Sequence, residues 1–322
     1  MSARDILLFA LQDSHDFGEG VATRLATTLS DLEESDFEDG EHKARPVEDV
    51  SGREVFVIQS LFSDNRHSVN DKLCRLLFLI GALKDARAAS VTAVIPYLCY
   101  ARQDRKAQPQ EPISSRYVAQ LLEAMGTDRL IVMDVHDLAA LENAFRCPTD
   151  HLEAFPLFVE HFAALLGSEP AVVVSPDIGG TRRALRFSSA FAEVCHSEID
   201  TAFVEKHRSG GTIKSGAFAG KIEGRSAIII DDLISTGGTI LRAARACREH
   251  GARRIFVAAT HGIFAVEANA VMAGDLLEQV VITNTGPIYR IDPELVGKKV
   301  VILDAAPLIA AAIDCIRARG SP

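Results

Sequence analysis

Cysteine is sparse and scattered: Cys74, Cys99, Cys147, Cys195, Cys247 and Cys315 form no CxxC pair and no Cys/His cluster at zinc-ligand spacing. They read as reduced core thiols. Long apolar runs are missing too, the N-terminal one stopping after Ile6–Leu11 before Asp13 and Asp16. That pattern is neither a signal peptide nor a membrane span, so a cytoplasmic location is expected. Positive charge is short, with 34 Lys+Arg against 44 Asp+Glu and a net charge of -10, which excludes a surface built to neutralise a nucleic-acid backbone. Any anionic ligand needs a local site. Proline (12) and glycine (22) are spread along the chain, and with 48% hydrophobic and 24% charged residues the composition excludes collagen-like, mucin-like and disordered classes. A length of 322 residues is about two ordinary domains.

What is present is a series of short β-branched runs separated by helix-length stretches. The runs are 55–60, 91–97, 130–136, 171–177, 226–232, 255–261 and 280–285. Continuous apolar strands of this kind belong to parallel sheets covered on both faces, so the fold class is α/β. Helices are predicted over Asp71–Ala86 and Gly238–His250 from apolar residues at helical spacing. Most strands end in polar clusters (Gln59-Ser60, Asp134 and His136, Ser175 and Asp177, Asp231-Asp232, Thr260-His261), where ligands of open α/β sheets bind. The stretch 147–156 is the best boundary between domains, and SGGTIKSG at 209–216 the best candidate for a mobile loop. The acidic run at 31–41 reads by itself as a solvated face.

The strongest single motif is IIIDDLISTGGT at 228–239. Gly237 and Gly238 let backbone N–H groups approach a phosphate, Ser235, Thr236 and Thr239 add hydroxyl donors, and the following helix offers its positive end. Asp231 and Asp232 would then accept hydrogen bonds from the vicinal hydroxyls of a sugar.

This loop resembles the phosphoribosyl-binding loop of the type I phosphoribosyltransferase fold. Further segments narrow the resemblance to the ribose-phosphate pyrophosphokinases: 96–114 around ARQDR, DVH at 134–136, VVVSPDIGGTRRA at 172–184, VEKHR at 204–208 and ATHGIFA at 259–265. The resemblance implies two tandem phosphoribosyltransferase-like domains, residues 1–153 with the ATP-binding elements and residues 154–322 with the ribose 5-phosphate loop, a catalytic flexible loop and the C-terminal helix. The implied reaction moves the pyrophosphoryl group of ATP to the anomeric hydroxyl of ribose 5-phosphate, with Mg²⁺ as cofactor. It gives Lys206 and Arg208 a catalytic role on the flexible loop, and assigns ATP to Arg102, Gln103 and His136. Phe37, Asp39, Gly40 and Glu41 match a hairpin tip that enters a neighbouring subunit's adenine pocket, replacing the solvated-face reading and implying a homo-oligomer. Ribose 5-phosphate falls to Asp231, Asp232 and Ser235–Thr239, pyrophosphate to Gly179 and Gly180 with Arg182 and Arg183 beside them, and the metal to Asp177 and His136.

The chain departs from the family pattern at 137–146, in the longer segment 60–71, and in STGGT, which is closer to the transferase version of the loop. Gln110 and Asp304 stand where many members have an Arg and a Ser at an interfacial anion site, so activation by free phosphate and allosteric inhibition by ADP are expected to be absent. A phosphoribosyltransferase acting on a base would leave ARQDR, FEDGE and the first domain without a task. A silent regulatory subunit would have no need of Lys206, Arg208, His136, Asp177 and Asp231.

Overall fold

Strand-forming runs in the first half assemble one parallel sheet in a computed structural model that describes residues 6–204, 207–209, 212–214 and 218–319, the two short segments at 207–209 and 212–214 by backbone alone. The elements are β1 (Leu7–Ala10), α1 (His15–Arg24), β2 (Leu32–Asp36), β3 (His42–Pro46), β4 (Glu54–Ile58), α2 (Val69–Asp85), β5 (Ser90–Ile95), α3 (Ser114–Ala124), β6 (Arg129–Met133), α4 (Leu138–Ala144) and β7 (Thr149–Leu152). The sheet order is β1-β4-β5-β6-β7, every pair parallel, while β2 and β3 form a separate antiparallel ribbon. β1 and β4 are buried at every position, as strands covered on both faces must be. α2 starts two residues earlier than the periodicity predicts because Ser68 and Asp71 form a reciprocal capping box. Its Leu73, Leu76, Leu77, Ile80 and Leu83 enter the core, each contributing about 1.5–3 kcal/mol of hydrophobic burial.

The longer segment 60–71 is fastened by an ionic cluster. Lys72, with no exposed surface, places Nζ 2.5 Å from Asp64 and 3.7 Å from Asp13, and 3.4 Å from the centre of the Phe62 ring. His67 Nδ1 lies 3.0 Å from the same Asp13 carboxylate.

The second unit runs α5 (Phe155–Leu166), β8 (Ala171–Ser175), α6 (Thr181–Cys195), β9 (Asp200–Val204), β10 (His207–Ser209), β11 (Thr212–Lys214), β12 (Phe218–Ala219), β13 (Ser226–Ile234), α7 (Gly238–Glu249), β14 (Arg254–Gly262), α8 (Ala268–Ala273), β15 (Gln279–Thr283) and β16 (Val300–Leu303). Its sheet has the order β12-β9-β8-β13-β14-β15-β16, parallel except for β12 against β9. β10 and β11 pair antiparallel as a two-stranded sheet of their own.

The last helix, α9 (Ala306–Arg319), corrects the expected second domain of 154–322. The compact units are residues 1–153 together with 305–322, and residues 154–304. Ile309, Ile313 and Ile316 form one buried helical face, and α9 packs on α1 and β7 of the first unit. Sequence order alone could not reveal that return. Among the described residues no helix is long and apolar enough to cross a membrane.

Candidate active site

β13 carries three isoleucines into the core and then continues through both acids to Ile234. Its pairing with β8 ends at Ile229↔Val174, but with β14 it persists to Ile234↔Gly262. Asp231 and Asp232 therefore stand on a strand that outruns its neighbour on one side, at the carboxyl end of the sheet. Asp232 is buried and Asp231 is 19% exposed at the side chain. Arg183 reaches both, at 3.4 Å and 3.7 Å, and the Asp231 carboxylate accepts from the Asp232 N–H at 2.9 Å. Burial first, then the adjacent Asp232 charge, pushes the Asp231 carboxyl up to about 8, against the lowering effect of Arg183.

After Ile234 the chain turns into Ser235, Thr236 and Gly237, and α7 begins at Gly238. Gly237 has φ +79°, a conformation that favours glycine, and a Cβ there would lie a tight 3.2 Å from Val271. The loop is held from below by Phe264 N–H to Ile234 O (2.9 Å) and Ala265 N–H to Ser235 O (3.0 Å). Arg242, one turn into α7, donates to Thr239 Oγ1 at 3.1 Å. The sequence reading missed this guanidinium, although its position three residues after Thr239 puts it on the same helix face.

Asp177, Gly179 and Gly180 occupy the turn between β8 and α6. Asp177 caps it by accepting the Gly180 N–H at 3.1 Å, and Ser175 Oγ donates to Asp177 O at 2.6 Å. A Cβ on Gly180 would come within 2.8 Å of Ser175 Oγ. Arg183, expected beside a pyrophosphate at this turn, leans on the acid pair; Arg182 is exposed.

In the first unit Phe37, Asp39, Gly40 and Glu41 form the tip of the β2–β3 hairpin. Phe37 N–H donates to Glu41 O at 2.8 Å, Gly40 N–H to Phe37 O at 3.0 Å, and Glu41 N–H to Asp39 Oδ1 at 3.1 Å; Phe37 is 52% exposed. Arg75 donates to Asp36 just before the tip, and this guanidinium holds the Asp36 carboxyl below its usual range. Arg102 and Gln103 lie on the loop after β5 and His136 on the loop after β6, at the carboxyl ends of two paired strands. Arg102 and His136 are exposed. Gln103 accepts from Ser114 Oγ through its side chain and from Ser115 N–H (3.3 Å) through its backbone, at the start of α3. Tyr100 and Asp134 adopt φ of +59° and +36°, sparsely populated conformations for residues other than glycine.

Lys206 lies outside the described residues, and Arg208 is described only as backbone in β10. Asp13, Asp64 and His67 are close enough together to share an ion, yet the Lys72 ammonium already sits against both carboxylates. Asp177, at the carboxyl end of β8, offers the kind of oxygen donor that a hard divalent cation prefers.

Residues 6–126 match the family model described as the N-terminal domain of ribose phosphate pyrophosphokinase, and residues 212–321 the phosphoribosyl synthetase-associated domain. The chain is 41% identical over 262 residues to the ribose-phosphate pyrophosphokinase of Ureaplasma parvum, covering 81% of this chain and 76% of that protein. It is 38% identical over 303 residues to ribose-phosphate pyrophosphokinase 1 of Streptococcus pneumoniae, covering 92% and 90%. The crystal structure of phosphoribosylpyrophosphate synthetase from Mycobacterium smegmatis superposes with a TM-score of 0.89 at 33% identity, covering 98% of this chain and all of that one.

Proposed function

This chain belongs to the ribose-phosphate pyrophosphokinase family, and from that premise we propose how its residues divide the work of the reaction. The enzyme transfers the pyrophosphoryl group of ATP to the anomeric hydroxyl of ribose 5-phosphate, releasing AMP and 5-phosphoribosyl 1-pyrophosphate. The observation that carries the assignment of its sugar-phosphate side is the acid pair on β13 running directly into the glycine loop that opens α7.

The 5-phosphate is received by Ser235, Thr236, Gly237, Gly238 and Thr239, through hydroxyls and the amides at the start of α7. Asp231 and Asp232 accept hydrogen bonds from the ribose hydroxyls. Phe37, Asp39, Gly40 and Glu41 serve adenine, and Arg102, Gln103 and His136 the rest of the nucleotide. The exposure of Phe37 at a hairpin tip supports its use by a pocket in a second copy of the chain, hence a homo-oligomer; the cytoplasm is the location proposed for it. Gly179 and Gly180 take the pyrophosphate, and an anion at the Gly180 N–H would release Asp177 Oδ1, its present partner. Mg²⁺, held by Asp177 with His136, would neutralise the triphosphate and stabilise charge on the group in transfer. Lys206 and Arg208 meet the charge that develops as the β-phosphorus passes from the AMP oxygen to the anomeric oxygen, whose proton is lost. Gln110 and Asp304 support an enzyme without phosphate activation or ADP inhibition at an interfacial anion site.

The test is turnover of purified protein with Mg-ATP and ribose 5-phosphate. Stoichiometric AMP and phosphoribosyl pyrophosphate are expected; no AMP would overturn the reading and favour a silent regulatory subunit. Light scattering checks the oligomer, a monomer counting against it.

A further inference from the structure

Among the described residues the β2–β3 ribbon pairs with no other strand, and a lone two-stranded hairpin has little intrinsic stability or fixed direction in water. Its orientation must come from what its inner face touches. Three rungs face inward from register: Leu32 with Pro46, Glu34 with Ala44, and Asp36 with His42. The base rung and Ala44 are held by packing, Leu32 and Ala44 lying against the core of the first unit. The middle is held by Glu34, which accepts the Gln12 N–H at 2.6 Å and meets His42 Nε2 at 3.2 Å. At the last rung before the tip, the contact reaching over from α2 is Arg75 on Asp36. Arg75 is largely buried, its side chain 11% exposed, whereas Asp36 is 59% exposed.

An ion pair with one exposed partner adds little to global stability, and the hairpin base does not depend on it. Yet it acts one residue before Phe37, where a small pivot of the ribbon displaces the whole tip. We propose that Arg75 is a positioning residue for nucleotide recognition: by fixing Asp36 to α2 it sets the direction of the Phe37–Glu41 tip without itself touching the nucleotide. The proposal rests on the reading that this tip serves adenine. Losing the tether lowers the fraction of hairpins poised to bind, and apparent affinity falls by that fraction.

Steady-state kinetics on the full-length enzyme tests it with Arg75→Met, Arg75→Lys, Asp36→Asn, the Arg75→Met/Asp36→Asn double variant and Phe37→Ala. If the poised fraction drops to about one fifth, Arg75→Met and Asp36→Asn each raise the KM for ATP ~5-fold, with kcat and the KM for ribose 5-phosphate unchanged. The double variant then matches either single one, since both remove one contact, and Arg75→Lys recovers most of the loss. A normal KM for ATP in Asp36→Asn, whose exposed site tolerates the change, beside a raised one in Phe37→Ala would overturn the proposal and leave the adenine reading intact. A normal KM for ATP in Phe37→Ala would overturn the reading itself. Equal losses for both substrates in Arg75→Met, without any loss in Asp36→Asn, would make Arg75 a packing residue only.

Discussion

In the second unit the candidate acids lie inside a strand, buried or nearly so, flanked by β14 and bridged to α6 by Arg183. In the first unit Phe37, Arg102 and His136 project from a hairpin tip and two loops and are exposed. The backbone itself builds the candidate sugar-phosphate side, whereas the candidate nucleotide side consists of side chains on a frame that leaves them largely in water. The first arrangement is preorganised, so altering it should cost turnover or ribose 5-phosphate binding. The second is adaptable, and changes there should appear mainly in the KM for ATP.

The hardest test of that contrast is Lys206→Ala, expected to lower kcat at least ~10²-fold, the scale for losing one charge-stabilising donor, with little change in either KM. Near wild-type turnover would remove Lys206 from the mechanism. Asp231→Asn comes next: an amide is half donor where the sugar requires acceptors, and losing that carboxyl should raise the KM for ribose 5-phosphate by about 10-fold, or ~1.4 kcal/mol. An unchanged KM and kcat would move the sugar elsewhere. Phe37→Ala should raise the KM for ATP several-fold while leaving ribose 5-phosphate alone; the reverse result would break the division between units.

A smaller effect concerns pH. Because the Asp231 carboxyl is raised from 3.8 to about 8, the substrate-free fold binds its proton more tightly than the unfolded chain does. That stabilisation is full below about 3.8 and is lost as pH rises through about 8. Between pH 6 and 9 the melting midpoint should therefore fall further in the wild type than in Asp231→Asn, by several degrees. Parallel curves would refute the shifted acid. Smallest of all, titrating inorganic phosphate at fixed Mg²⁺ should give no activation; a steep millimolar requirement would show that an anion site operates despite Gln110 and Asp304.

The sheets were legible because buried parallel strands must be apolar on both faces, and Ile228–Ile230 or Val172–Val174 can hardly be anything else. The loop at 235–239 was legible because glycine at positive φ before a helix has few alternatives. Less could be read where partners are far apart in sequence. Asp36 and Arg75 meet across 39 positions, and Arg183 and Asp231 across 48. Nothing local tells an arginine which carboxylate it will face. The capping box that starts α2 was readable at Ser68 and Asp71 but competed with a stronger hydrophobic pattern further on. The hairpin's alternation is diluted by acids on its inner face, Glu34 and Asp36, whose partners His42 and Arg75 lie outside β2.

The return of α9 to the first unit means that this unit is encoded in two pieces, with residues 154–304 between them. During synthesis, then, the unit made second is the first to have its whole sequence available. The earlier one must wait, with the surfaces of α1 and β7 uncovered, until Ile309, Ile313 and Ile316 emerge. Premature termination near residue 304 would spare every acid of the candidate sugar-phosphate side and yet strike the candidate nucleotide side, whose α1 and β7 surfaces are encoded well upstream of the cut.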